Sequence, residues 1–286
     1  EFPLLAALEM KDIKYHAVAN LRDVALPRML LGKDITGANG TFELSPQGMK
    51  INGTGALAGV AGKVEWQDFT APKDDVTRRI TFSGDMMDDD LAKFGLPVAG
   101  YVKGKSSAEG SYEIRGGQNL LRLNLDMRPA AVTIRELNYA KAAGSPMTVN
   151  ASIGMNGDVN NLALTATAER LALDGTGVLN AEMKPVDLNF GIFRAGDHTN
   201  AQLRMTTDGA RERWMISGQS FDASGILAGD PNAPLPGEAQ RAKTGRWIGL
   251  QLGTLYLANN AMLQNVRMEA NHNGIRYDKL LLSGNM

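Results

Sequence analysis

Leu121-Arg122-Leu123-Asn124-Leu125-Asp126-Met127 puts an apolar side chain at every second position and a polar one between. Successive side chains of a strand point to opposite faces, so this beat describes one dry face and one wet face. The same period of two returns in Phe42-Glu43-Leu44, Met49-Lys50-Ile51, Val64-Glu65-Trp66, Met147-Thr148-Val149, Leu162-Ala163-Leu164, Leu203-Arg204-Met205, Trp214-Met215-Ile216 and Val266-Arg267-Met268. The expected fold is therefore mostly β. A chain of 286 residues built from such phrases needs something to cover its dry face.

Glycine supplies 32 positions, an excess that falls largely between the alternating runs. Gly37, Gly40, Gly53, Gly55, Gly59, Gly62, Gly100, Gly104, Gly110, Gly116, Gly117, Gly154, Gly157, Gly175 and Gly177 read as turn punctuation, because glycine reaches positive φ cheaply. Turn signals every 8–12 residues or so predict consecutive antiparallel strands, on the order of 20 of them. An open sheet rarely exceeds about 10 strands without curling or splitting. The expectation is one long, strongly curved antiparallel sheet forming a groove, a single continuous segment over residues 1–286.

Three places break the rhythm. Residues 85–94 predict a short helix, with Asp85 as cap, Met87, Leu91 and Phe94 on one apolar face, and Gly95 and Pro97 ending it. Phe221 to Leu227 has room for one helical turn. Residues 229–245 hold Pro231, Pro234 and Pro236, and read as a loop. A looser repeat joins Ile51-Asn52-Gly53-Thr54-Gly55 to Leu173-Asp174-Gly175-Thr176-Gly177.

Composition narrows the function. The 30 basic and 31 acidic residues nearly cancel, and aromatics are only 6%, so there is no electrostatic footprint for nucleic acid. No cysteine is present, which removes disulfides, thiolate catalysis and cysteine metal sites. No run approaches the 18 or so apolar residues of a membrane helix. The chain starts Glu1-Phe2 and stops at Gly284-Asn285-Met286 inside the pattern, so it reads as a piece of something longer whose anchor lies elsewhere.

Catalytic chemistry is hard to find. His16, His198 and His272 are far apart and lack a second ligand at metal spacing. Asp88-Asp89-Asp90 lacks the alternating ligands and glycine of a calcium loop, and suits the first turn of a helix. No Gly-X-Ser-X-Gly elbow and no phosphate-binding loop occurs, and no carboxylate pair is singled out. The expectation is a protein that is not an enzyme and needs no metal or cofactor. A carbohydrate-active β-helix is the enzymatic alternative. An outer-membrane barrel is disfavoured, because aromatic girdles are missing.

The 14 methionines, several at alternating positions (Met49, Met127, Met205, Met268), suit either a packed core or an adaptable surface for an aliphatic ligand. Burying an acyl chain of about 16 methylenes is worth roughly 13 kcal/mol, so a lipid does not cross water unaided. A continuous apolar trough lets it slide among equivalent contacts at nearly constant free energy. About 20 strands at ~4.8 Å would extend such a trough about 95 Å. The candidate lining is Leu121, Leu123, Leu125, Met127, Met147, Val149, Ile153, Leu162, Leu164, Leu188, Phe190, Ile192, Leu203, Met205, Trp214 and Ile216. A bulge in any strand would shift its faces by one.

Gly53-Thr54-Gly55-Ala56-Leu57-Ala58-Gly59-Val60, then Val64-Glu65-Trp66, then Arg79-Ile80-Thr81-Phe82-Ser83-Gly84 resembles the AsmA-like superfamily, and its YhdP-type members most of all. The helix over Asp85–Phe94 with Gly95-Leu96-Pro97, and the phrase Gly100-Tyr101-Val102-Lys103-Gly104, follow in the order of that family's text. Ala131 to Lys141 is similar to the strand before the family's W-x-K step, with Tyr139 in place of Trp. Ile216-Ser217-Gly218-Gln219-Ser220-Phe221-Asp222-Ala223 is similar to its G-x-S-(F/L)-D phrase. The resemblance runs over most of Gly40 to Gly284. It implies a gutter-like sheet with an apolar interior and a periplasmic body attached to the inner membrane through other parts of the parent protein. It also implies movement of phospholipids toward the outer membrane, with phospholipid acyl chains and envelope membrane proteins as partners. It brings no catalytic residues. The alternative reading is a structural or chaperone-like scaffold that assists outer-membrane biogenesis by strand addition at a sheet edge.

Overall fold

In the computed structural model, residues 14–30, 32–71, 74–94, 98–209, 211–228, 245–273 and 277–285 are described. The strands, in chain order, are β1 (Ala17–Leu30), β2 (Lys33–Ser45), β3 (Gly48–Leu57), β4 (Val60–Phe69), β5 (Val76–Met86), β6 (Val102–Lys103), β7 (Ser106–Arg115), β8 (Gln118–Asp126), β9 (Ala131–Ile134) and β10 (Tyr139–Lys141). They continue with β11 (Met147–Asn156), β12 (Val159–Ala168), β13 (Leu171–Leu179), β14 (Pro185–Ala195), β15 (Thr199–Asp208), β16 (Arg211–Asp222), β17 (Gly245–Tyr256), β18 (Met262–His272) and β19 (Tyr277–Asn285). Among the described residues two short helices interrupt them, α1 (Asp88–Lys93) and α2 (Ser224–Leu227).

Among the described residues sixteen strands form one open sheet in the order β1-β2-β3-β4-β5-β7-β8-β11-β12-β13-β14-β15-β16-β17-β18-β19, and β10-β9-β6 form a small second sheet. The mostly β fold expected from the period of two is present. The pairing of β16 with β17 departs from the antiparallel expectation, since the two run parallel. A parallel neighbour needs a crossover rather than a hairpin, and α2 follows β16 before β17 begins at Gly245. The expected proline-rich loop over 229–245 falls on residues 229–244, outside the described residues, and Gly245 begins β17.

The chain divides into two compact units. The first comprises Glu1–Asp85 and Ala108–Arg122, and the second Met86–Ser107 and Leu123–Met286. In the first unit, cross-strand register aligns Leu21, Gly40, Gly53, Val64 and Phe82 in one row across β1 to β5. Ala19, Phe42, Ile51, Trp66 and Ile80 form the next row. Paired residues of adjacent strands share a face, so these rows are the apolar face of that unit. Ile80 and Phe82 are its most buried members.

The helix expected at 85–94 is shorter than its sequence signal. Asp85 ends inside β5 and does not cap α1. Met87 holds the cap position, and its backbone N–H donates to the Asp90 carboxylate at 2.9 Å. Asp88, Asp89 and Asp90 occupy the first turn, where the helix dipole favours negative charge. Of the three apolar positions only Leu91 is fully buried; Met87 is exposed. The turn expected from Phe221 is α2, which starts at Ser224 because Phe221 and Asp222 complete β16.

The glycines need a correction as well. Gly37, Gly40, Gly53, Gly55, Gly62, Gly110, Gly154, Gly175 and Gly177 lie within strands, not turns. The reason is visible in β13. A Cβ on Gly175 would sit 2.5 Å from the Phe190 ring, and one on Gly177 would sit 2.5 Å from Leu188 Cδ2. The neighbouring strand lays its side chains over bare backbone, which only glycine permits.

Candidate functional site

The second unit contains one apolar face of unusual length. Register aligns Ile153, Leu162, Gly177, Leu188, Met205, Trp214, Ile248, Ala270 and Leu280 in a row across nine strands, β11 to β19. Beside it runs Ala151, Leu164, Gly175, Phe190, Leu203, Ile216, Leu250, Met268 and Leu282. A third row is Val149, Ala166, Leu173, Phe193, Ala201, Gly218, Leu252 and Val266. Every member of the three rows is apolar or glycine. At the usual ~4.8 Å between strands, nine strands carry this face about 38 Å along the sheet.

The face is not sealed. Phe190, Phe193, Ala201, Leu250, Leu252 and Val266 are buried, and with Phe221 and Leu255 they form a core cluster. Around them Ile153, Leu162, Leu164, Leu173, Leu188, Leu203, Trp214, Ile216, Ile248 and Met268 stay only half-buried. At β19 the exposure of Leu280 and Leu282 rises to 62% and 52%. Hydrocarbon surface left partly open around a buried cluster is a surface on which an aliphatic ligand can lie.

Fifteen of the sixteen residues expected to line the face are buried or half-buried. Leu121, Leu123 and Leu125 lie on β8, and Met127 follows it, donating its backbone N–H to the Met147 carbonyl at 2.9 Å. From Met147 to Ile216 all but Ile192 sit on the apolar face. Ile192 is the exception, and the expectation for it is wrong. On β14, Phe190 pairs with Gly175 but Ile192 pairs with Asp174, so one extra residue, Gly191, is inserted. This bulge turns Ile192 to the polar face at 41% exposure and brings Phe193 inward at 7%.

One end of the face is closed by a polar knot. The Asp222 carboxylate, at the end of β16, accepts the backbone N–H of Ser224 at 2.9 Å, the Ser224 hydroxyl at 2.5 Å and the Asn138 side-chain amide at 3.2 Å. The Asp222 backbone N–H donates to Thr199 Oγ1. Asn138 is left-handed (φ 51°) after the 3₁₀ turn Arg135–Leu137, and Gly225 of α2 packs directly on the Arg135 carbonyl. This knot seats Leu137, Ala223 and Leu257 against the core cluster. Burial pushes the Asp222 carboxyl up, but the Ser224 and Asn138 hydrogen bonds and nearby His198 outweigh it and hold it below the usual range. A depressed carboxyl stabilises the fold above its unfolded value of about 3.9, and that contribution disappears as pH falls through the folded value. Asp222→Asn is expected to cost about 2 kcal/mol at neutral pH. The gap to the parent protein should close as urea midpoints are taken at successively lower pH below 4 or so.

The other end carries a polar rim. Trp214 donates its indole N–H to Glu212 at 3.0 Å, and Arg246 of β17, the register partner of Glu212, reaches the same carboxylate at 3.2 Å. The first unit has an equivalent trio on its apolar face. There Trp66 donates to Asp68 at 2.8 Å and Arg78, the register partner of Asp68, binds it through both oxygens at 2.7 and 2.8 Å. The Arg78 hydrogen bonds hold the Asp68 carboxyl below its usual range. The acid two residues from each tryptophan is legible in the sequence; the arginine from the neighbouring strand is not.

Tyr139 and Lys141 face inward from the small sheet. The Lys141 ammonium donates to the carbonyls of Ala130, Ala142 and Arg128 at 2.7, 3.0 and 3.3 Å, and burial lowers its pKa. His198 stacks on Tyr256 with centroids 4.2 Å apart. Among the described residues no three acidic or histidine side chains gather as metal ligands, and no helix is long and apolar enough to cross a membrane. No family model, curated protein or solved structure matches the chain.

Proposed function

We propose that the chain is a segment of a periplasmic lipid-transfer protein that conducts phospholipids along an apolar β-groove between inner and outer membranes. In this reading it belongs to the AsmA-like superfamily, and the parent protein is attached to the inner membrane. The observation that supports it is the set of apolar rows over β11 to β18, two of them continuing onto β19, uninterrupted by a polar side chain yet left half-open. Acyl chains lie across equivalent strand-to-strand steps, and no bond is made or broken. The polar rim at Trp214, Glu212 and Arg246 marks where hydrocarbon ends and head groups begin.

One feature favours the scaffold alternative. β19 ends the sheet order, and Leu280, Leu281 and Leu282 are all more than half exposed, so an extended partner strand could add there. Native mass spectrometry of the purified chain separates the two. Co-purifying phospholipid is the expected result. A lipid-free protein that captures extended peptides at β19 would transfer the argument to the scaffold.

A further inference from the structure

The polar face of the first unit holds a cluster that the apolar face does not account for. Glu113 of β7 is a nearly buried carboxylate, its side chain 6% exposed, and three arginines converge on it. Arg79 of β5 donates through Nε to Oε1 at 2.8 Å. Arg122 of β8 and Arg115 of β7 reach Oε2 at 3.4 and 3.5 Å. Arg79 pairs in register with Gln67 and stands on the side of β5 opposite to Ile80, so the cluster faces away from the apolar rows.

The arithmetic of this cluster is lopsided. Three guanidiniums and one carboxylate leave two positive charges. Each guanidinium has five N–H donors in a planar fork, and the carboxylate takes one close contact from Arg79 and two at the limit of hydrogen bonding. Neutralising Glu113 needs one arginine; the second and third add mutual repulsion. Their side chains are 47% and 53% exposed, so their forks are open to solvent. Neighbouring forks with surplus charge suit a tetrahedral oxyanion, which accepts paired N–H bonds from several guanidiniums at once. The nearly buried Glu113 carboxylate gathers the three arginines at one place.

We propose that Arg79, Arg115 and Arg122, anchored on Glu113, form a binding site for a phosphate group on the polar face of the first unit. Calorimetry of the whole chain with inorganic phosphate, and flotation with phosphatidylcholine vesicles with and without phosphatidylglycerol, would test it. Arg115→Gln and Arg122→Gln should each weaken binding about tenfold, with unchanged thermal midpoints. Arg122→Lys should recover only part, since it keeps the charge and loses the fork. Arg194→Gln, on the second unit, should change nothing. Saturable binding of free phosphate that falls in the cluster variants would assign a phosphate carried by a soluble molecule. Binding seen only with phosphatidylglycerol vesicles, and lost in the same variants, would assign a lipid head group. Binding to neither, or binding that Arg194→Gln weakens as much as Arg122→Gln does, would overturn the site and leave Glu113 as a tie between strands.

Discussion

Leu162→Asp is expected to strip bound phospholipid from the chain by at least about a hundredfold while leaving it folded. Leu162 sits in the first apolar row, on β12 between Ile153 of β11 and Gly177 of β13, and is half-buried. It lies outside the buried core cluster, so its replacement leaves that packing intact. An acyl chain crossing this position would have to desolvate a carboxylate or force its protonation. Either costs several kcal/mol, and about 2.7 kcal/mol already means a hundredfold. Ala163→Asp is the matched control: it is the next residue of β12, exposed on the polar face opposite Ser152 and Thr176. The measurement is phospholipid per protein after purification, with circular dichroism on both variants. Equal loading of the two variants would remove the apolar rows from the argument. Loss in both would point to a general effect of added charge.

The asymmetry between these neighbours was legible in the sequence, because the period of two needs no knowledge of partners. Leu162-Ala163-Leu164 already separates wet from dry. What sequence could not supply is what depends on the adjacent strand. Gly53 and Gly175 read as turn residues in sequence, yet the Asn39 carbonyl and the Phe190 ring of adjacent strands close over them. Arg246 carries no mark of its pairing with Glu212, because the two belong to strands that pair in parallel and not through a hairpin. The apolar contribution of β17 to β19 was available in Ile248-Gly249-Leu250-Gln251-Leu252, yet only the chain order of strands shows that these residues extend the same rows. The Tyr139-Ala140-Lys141 step shows alternation of another kind: Tyr139 and Lys141 are both buried, and the ammonium is satisfied by backbone carbonyls that no motif displays.

The sharpest test of the face assignment lies at the β14 bulge. Uninterrupted alternation from Leu188 and Phe190 would make Ile192 the next inward residue and leave Phe193 in water. The inserted Gly191 reverses the two, pairing Phe193 with Leu173 and Ala201 and setting Ile192 against Asp174. Phe193→Ala is then expected to cost about 3–5 kcal/mol, the usual range for emptying a buried aromatic site. Ile192→Ala, on an exposed side chain, should stay within about 0.5 kcal/mol. Urea unfolding with an unchanged slope reads both numbers directly. The lipid readout should follow the same order, because Phe193 belongs to the third apolar row and Ile192 to none. A larger loss at Ile192 than at Phe193 would mean that β14 runs without its bulge. Its pairing with β13 would then slip by one residue, and Ala195 and Leu171, now matched on the apolar face, would no longer meet.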